Sequence, residues 1–214
     1  MRYLIVCGGK IDKEFGLNEI KTDGIDAIIA ADSGMDFLYE NGVTPDIIVG
    51  DFDSATTKAL EFFERKGQTE IHRLNPIKDD TDTEYAIRLA IREGARSIVM
   101  LGATGSRIDH VLGNISLLGI GLESKTDISI IDTNNRIRMA DKPVTIEKSA
   151  QYGRFVSLIA VTDDNEVSLR GFKYPVTDYS FDRFTSLGIS KDLIVDQGVI
   201  EIHCGKLIVI ESKD

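Results

Sequence analysis

The stretch SIVMLGATGSRIDHVLGN, residues 97–114, decides the fold. It opens with a short apolar run, Ser97 to Leu101, that reads as a strand. A glycine-containing polar loop follows, and a helical pattern begins at Ile108 and runs to Leu118. Similar runs stand upstream and downstream. Tyr3 to Cys7, Asp26 to Ala31, Asp46 to Val49, Thr69 to Arg73 and Asp127 to Ile131 are short, rich in Ile and Val, and bounded by Gly or Asp. Helical patterns cover Ala55 to Lys66 and Thr81 to Glu93. Strands alternating with helices of this length predict a parallel sheet with helices on its faces.

After Met139 the helical periodicity fades. Val144 to Glu147, Phe155 to Val161, Glu166 to Leu169, Val199 to His203 and Leu207 to Glu211 read as strands. Cys204-Gly205-Lys206, between the last two, is a hairpin signal. Asp141-Lys142-Pro143 is the expected junction. The prediction is therefore an α/β parallel-sheet domain over 1–140, followed by a small all-β, sandwich-like domain over 141–214.

With 42% hydrophobic residues among 214, the chain can bury a real core. Lys plus Arg number 25 against 35 Asp plus Glu, a net charge of −10. Such a chain is a poor binder of nucleic acid or anionic membrane, because phosphate contacts need a basic face. Any phosphate chemistry here calls for an added cation. No apolar run approaches the ~20 residues of a membrane span. The opening MRYLIVCGGK is too short in its apolar part for a signal peptide. Cys7 and Cys204 are unclustered, which points to free thiols in a reducing compartment and a cytoplasmic location. No zinc-ligand spacing is present among two Cys and three His.

Four loops follow predicted strands and precede predicted helices: Ala31 to Gly34, Gly50 to Ser54, Lys78 to Asp82 and Gly102 to His110. In a parallel sheet they lie together along the carboxyl edge, where such sheets bind ligands. Helix capping explains part of their composition, since Asp, Ser and Thr are preferred caps and Thr81 with Glu84 fits a capping box. Capping does not explain the doubled carboxylates Asp51 and Asp53, or Asp80 and Asp82. Two residues apart on an extended segment, the members of a pair share a face. Two like charges ~4 Å apart repel by roughly 1–4 kcal/mol, which a hard divalent ion such as Mg²⁺ would relieve. Gly102, Gly105 and the helix after Ser106 suit a phosphate cradle, and Arg107 can clamp a phosphate or pair with Asp109. Walker A spacing is absent, and Gly8-Gly9-Lys10 does not supply it.

Together the loops resemble the thiamine pyrophosphokinase family. The matching pieces are AADSG (30–34), PDIIVGDFDS (45–54), KDDTDTEYAI (78–87) and LGATGSRIDHVLGN (101–114), in order and over the whole chain. The resemblance implies transfer of a pyrophosphoryl group from ATP to the hydroxyl of thiamine, giving thiamine diphosphate and AMP, by a Mg²⁺-dependent homodimer. It implies metal and catalytic roles for Asp51, Asp53, Asp80, Asp82 and Asp109, with Arg107 at the nucleotide phosphates. The expected nucleotide contacts are Asp32, Ser33, Gly34, Gly102, Thr104, Gly105, Ser106 and Arg107. Thr81, Asn114, Ser186, Gly188 and Ser190 are the expected substrate contacts. Lys191 stands where the family often has Asn. Competing readings are a pyrophosphokinase acting on another alcohol, such as a hydroxymethylpterin, an Asp-dependent phosphatase using Asp51-Phe52-Asp53, and a nucleotide sensor.

Overall fold

The computed structural model describes residues 1–52, 56–75 and 80–214, in two units, Met1–Thr133 and Asn134–Asp214. The first unit alternates β1 (Arg2–Val6), α1 (Lys13–Ile20), β2 (Ala27–Ala31), α2 (Gly34–Glu40), β3 (Ile47–Gly50) and α3 (Thr57–Lys66). It continues with β4 (Glu70–Arg73), α4 (Asp82–Arg92), β5 (Ser97–Leu101), α5 (Ile108–Ser124) and β6 (Asp127–Ile131). The six strands pair in parallel in the order β6-β5-β1-β2-β3-β4.

The central strands are apolar without alternation because both of their faces are covered. Leu4, Ile5 and Val6 of β1 and Ile98, Met100 and Leu101 of β5 are all buried. Ala59 and Phe63 of α3 and Met35 and Leu38 of α2 pack into this core. Each such large side chain contributes roughly 1.5–3 kcal/mol on leaving water. Helix α3 stops at Gly67, whose φ of 64° is the left-handed cap that glycine adopts most easily. Helix α1 is absent from the sequence reading, and α2 figures there only as the helix expected after the Ala31–Gly34 loop, without a range. The second is seven residues long and begins at a glycine, so it depends on packing more than on propensity.

The second unit holds β7 (Asn135–Ala140), β8 (Val144–Glu147), β9 (Phe155–Ala160), β10 (Glu166–Arg170), β11 (Val176–Ser180), β12 (Lys191–Asp192), β13 (Gln197–Cys204) and β14 (Leu207–Ser212). Strand β7 precedes the expected Asp141 junction. One antiparallel sheet runs β12-β9-β14-β7 and the other β11-β10-β13-β8. Val156, Leu158, Leu207 and Val209 of one sheet meet Val167, Leu169, Ile200 and Ile202 of the other, with Phe172 and Phe181 beside them. The expected all-β sandwich is present.

The hairpin expected at Cys204-Gly205-Lys206 is not. Strand β13 pairs with β8 and β10, whereas β14 pairs with β7 and β9. The turn crosses from one sheet to the other. Its backbone is satisfied by side chains rather than by a facing strand: Lys206 N–H donates to Thr162 Oγ1 at 2.9 Å and to Asn165 Oδ1 at 3.0 Å. Asn165 is buried, and Gly205 has φ 87°, where a methyl group would overlap the Asn165 side chain.

Neither cysteine is bonded; Cys7 is buried and Cys204 exposed. Burial pushes the Cys7 thiol up to about 12, against a lowering contribution from the Thr83 hydroxyl. Among the described residues no helix is long and apolar enough to cross a membrane.

Candidate active site

In the order β6-β5-β1-β2-β3-β4 the chain direction of build-up reverses between β1 and β5, the position at which open parallel sheets form a crevice. Backbones approach closely there. Gly9 N–H donates to the Gly102 carbonyl at 2.8 Å, and Cys7 N–H donates to the Leu101 carbonyl at 2.8 Å. Methyl groups at Gly9, Gly34 or Gly102 would overlap the carbonyl oxygens of Gly102, Val6 and Cys7 respectively. Gly8 and Gly9 were set aside in the sequence because they lack Walker spacing. Their signal was two glycines directly after a central strand, which marks close backbone approach.

Three carboxylates converge on this edge. Asp32 follows β2, Asp51 follows β3 and Asp82 opens α4, and each offers an oxygen within 4.8 Å of the others. Like charges at that spacing repel by on the order of 3 kcal/mol per pair at a surface-like dielectric. Asp32 sits at φ 48°, in the left-handed region, with its N–H donating to the Val49 carbonyl at 2.8 Å. Its Oδ1 is buried without a hydrogen-bond partner among the described residues. Burial raises the Asp32 carboxyl above the usual carboxylate range; the Ser33 backbone N–H opposes that, and the charges of Asp82, Asp51 and Asp36 add to it. A buried, unmatched oxygen among three hard donors suits a divalent cation.

The expected residues separate into groups. Asp51 and Asp82 belong to the cluster, and Asp32, expected at the nucleotide, joins them. Asp53 lies outside the described residues. Phe52 has φ 65°, so the Asp51 segment is not extended through it and the shared-face argument does not hold there. Asp80 is exposed at the bend before α4. Thr81 caps α4, its hydroxyl accepting from Glu84 N–H at 3.2 Å. Ser33 occupies the cap position of α2 without a side-chain bond, and Gly34 begins that helix.

On the loop after β5, Gly102 has φ 65°. Asn114 Nδ2 donates to the Ala103 carbonyl at 2.8 Å, and the Thr104 hydroxyl donates to Asp132 at 2.9 Å. These contacts shape the loop from beneath. Gly105 and Ser106 are exposed on it. Arg107 donates to Asp109 at 2.6 and 3.3 Å, and both side chains are exposed. That hydrogen bond holds Asp109 below the usual carboxylate range.

In the second unit, Ser186 closes a turn, its carbonyl accepting from Ile189 N–H at 3.1 Å. Gly188 is buried and its carbonyl accepts from Leu158 N–H at 3.0 Å. A methyl there would overlap the Leu158 carbonyl oxygen. Ser190 has φ 53°, and its N–H donates to Ser157 Oγ at 3.0 Å. Lys191 is buried along its stem, with its ammonium 5.6 Å from the Tyr174 ring centroid.

Residues 21–131 match the family model for the thiamin pyrophosphokinase catalytic domain, and residues 143–209 match that for the vitamin B1 binding domain. The chain belongs to the thiamin pyrophosphokinase family. It is 36% identical over 188 residues to the thiamine pyrophosphokinase of Bacillus subtilis strain 168, covering 87% of each chain. A crystal structure of a Bacillus subtilis thiamine pyrophosphokinase superposes with a TM-score of 0.89 at 33% identity, covering 100% of both chains. A thiamin pyrophosphokinase structure from Geobacillus thermodenitrificans does so with a TM-score of 0.86 at 30% identity, over 100% of this chain and 98% of that one. The thiamin pyrophosphokinase catalytic match contains Asp32, Asp51 and Asp82. The vitamin B1 binding match contains Ser186, Gly188 and Ser190.

Proposed function

We propose that this enzyme transfers the diphosphoryl group of ATP to the hydroxyl of thiamine, with Mg²⁺ held by Asp32, Asp51 and Asp82. The observation that carries this reading is the three-carboxylate cluster, with the unpartnered Asp32 oxygen, inside the matched catalytic domain. When bound, the cation neutralises phosphate oxygens and aligns the groups in transfer. Asp53 and Asp80 are the further metal and catalytic carboxylates that the family resemblance implies, and Asp109 holds Arg107 in place. Arg107, Gly105, Ser106 and the Gly102–Thr104 backbone take the nucleotide phosphates, aided by Ser33 and Gly34. The thiamine hydroxyl oxygen forms the new bond to the β-phosphorus, the bond from that phosphorus to the α–β bridging oxygen breaks, and AMP leaves. A carboxylate of the cluster accepts the hydroxyl proton.

Ser186, Gly188 and Ser190 contact the vitamin, with Thr81 and Asn114 supporting the loops on the catalytic edge. The enzyme works as a homodimer. Phe184, Leu187 and Ile189 on the vitamin-binding segment are 95%, 41% and 47% exposed, an apolar surface that a second copy would cover. Its two free thiols suit the cytoplasm.

The test is a coupled assay that follows AMP and free phosphate, with and without thiamine. AMP and thiamine diphosphate in equal amounts, formed only when both thiamine and Mg²⁺ are present, are expected. Thiamine-independent phosphate release overturns the reading in favour of a phosphatase, and turnover of a hydroxymethylpterin in place of thiamine changes the acceptor.

A further inference from the structure

We infer that the second unit carries, apart from the carboxylate cluster of the first, a site for a small anion bearing two or more linked phosphoryl groups. The site is a cavity of about 730 Å³ lined by Lys148, Arg154, Lys173 and Lys213. In a chain with 35 acidic residues, one carboxylate lines it, that of Asp192. Asp192 accepts from Arg154 Nε at 3.0 Å, so that pair is neutral. Among the described residues no carboxylate pairs with Lys148, Lys173 or Lys213. Three lysines without a carboxylate partner thus line one cavity, although the chain carries a surplus of ten negative charges.

The walls are built, not loose. Glu211 is fully buried and accepts from Arg136 at 2.7 Å, from Arg138 at 2.8 Å and from the Tyr152 backbone N–H at 3.0 Å. The Glu211 carboxylate is shared by the two guanidiniums, which leaves the cluster one positive charge in excess, and it pins the Tyr152 backbone. A methyl at Gly153 would overlap the backbone of Ser212, so the cavity floor lies directly against the end of β14. The Tyr152 ring, also on the cavity wall, stands 5.2 Å from the Lys213 ammonium.

The chemistry selects the ligand. Lysines are point charges on flexible stems and suit phosphate oxygens without fixing one geometry. Three of them match the charge of a diphosphate better than that of a monoanion. The volume lies within the range of small-molecule sites, and a net-acidic chain around a local basic hollow disfavours nucleic acid. Inorganic diphosphate, ATP and thiamine diphosphate share the diphosphate unit, and each could supply it.

Calorimetric titration of the full-length protein, with EDTA present to remove divalent ions, tests the inference. The probes are inorganic diphosphate, ATP, thiamine diphosphate and, for comparison, sulfate. The doubly substituted Lys173→Gln, Lys213→Gln protein is expected to bind inorganic diphosphate at least tenfold more weakly than the unaltered chain. Both lysines are exposed, so the variant keeps its fold, which its melting curve verifies. An Arg107→Ala protein, altered at the phosphate loop of the catalytic edge, keeps the diphosphate affinity within about twofold. A larger loss for ATP or for thiamine diphosphate than for diphosphate in the lysine variant identifies the source, and equal losses assign recognition to the diphosphate alone. Unchanged diphosphate affinity in the lysine variant, loss of binding in Arg107→Ala instead, or sulfate bound as tightly as diphosphate overturns the inference.

Discussion

Asp32 combines three costs in one residue: a left-handed backbone, a buried unpaired oxygen and two neighbouring carboxylates. Residues held in such unfavourable states collect at functional sites, where a ligand offsets the cost. Asn tolerates the left-handed region well, so Asp32→Asn removes a charge without straining the turn. The metal-free variant is expected to melt no lower than the unaltered protein, because a repulsion has been relieved. The rise in melting temperature on adding Mg²⁺ is expected to disappear. AMP formation should fall at least ~100-fold, about 2.7 kcal/mol of transition-state stabilisation. Melting curves with and without Mg²⁺, alongside the AMP assay, check both. Full activity with lowered stability would reduce Asp32 to a structural turn residue.

Among the elements, β14 shows how one strand serves packing and charge together. Leu207, Val209 and Glu211 all point inward, so the alternation places a carboxylate where a third apolar residue is expected. The site is tolerable because Arg136 and Arg138, on the neighbouring β7, satisfy it. Removing one partner of a buried pair typically costs 3–5 kcal/mol. Arg136 and Arg138 are 29% and 27% exposed and regain some hydration, which places Glu211→Ala near the lower end, about 3 kcal/mol. Urea unfolding of the variant measures this as a lower midpoint at unchanged slope. A change under 1 kcal/mol would mean that the cluster is dispensable.

For the molecule as a whole, the question is whether one chain completes a site. The catalytic edge lies in the first unit and the vitamin-binding match in the second. If each site of a dimer joins the edge of one copy to the Ser190 segment of the other, two defective proteins can complement. Ser190→Ala mixed with Asp51→Asn, each impaired alone, should after subunit exchange recover about one quarter of full activity. Half of the dimers would then be mixed, each with one intact site. Exchange is verified by mass spectrometry of differently tagged copies. No recovery after verified exchange places the site within one chain.

How much of this was legible beforehand follows from what is local. The strand-loop-helix units, the parallel sheet and the carboxyl edge with its acidic loops were written in short-range patterns, because apolar runs and breakers act within a few residues of themselves. So was the capping of α4 by Thr81, a bond to a residue three positions on. The membership of the carboxylate cluster was not. Asp32 stands in the polar loop before α2 and Asp109 in the first turn of α5, and nothing within either segment says which turns inward. The sheet order set Asp32 beside Asp51 and Asp82, while Asp109 stands exposed and paired with Arg107 two residues away. The turn at Gly205 gives the same lesson. Its glycine and flanking strands were plain in the sequence, but pairing is a property of the partner strands. Asn165, forty positions earlier, satisfies the Lys206 backbone and lets β13 and β14 enter different sheets. Short-range chemistry determined the elements and the kinds of residue at the edge; long-range burial decided which of them meet, because desolvation and charge act through space and not along the chain.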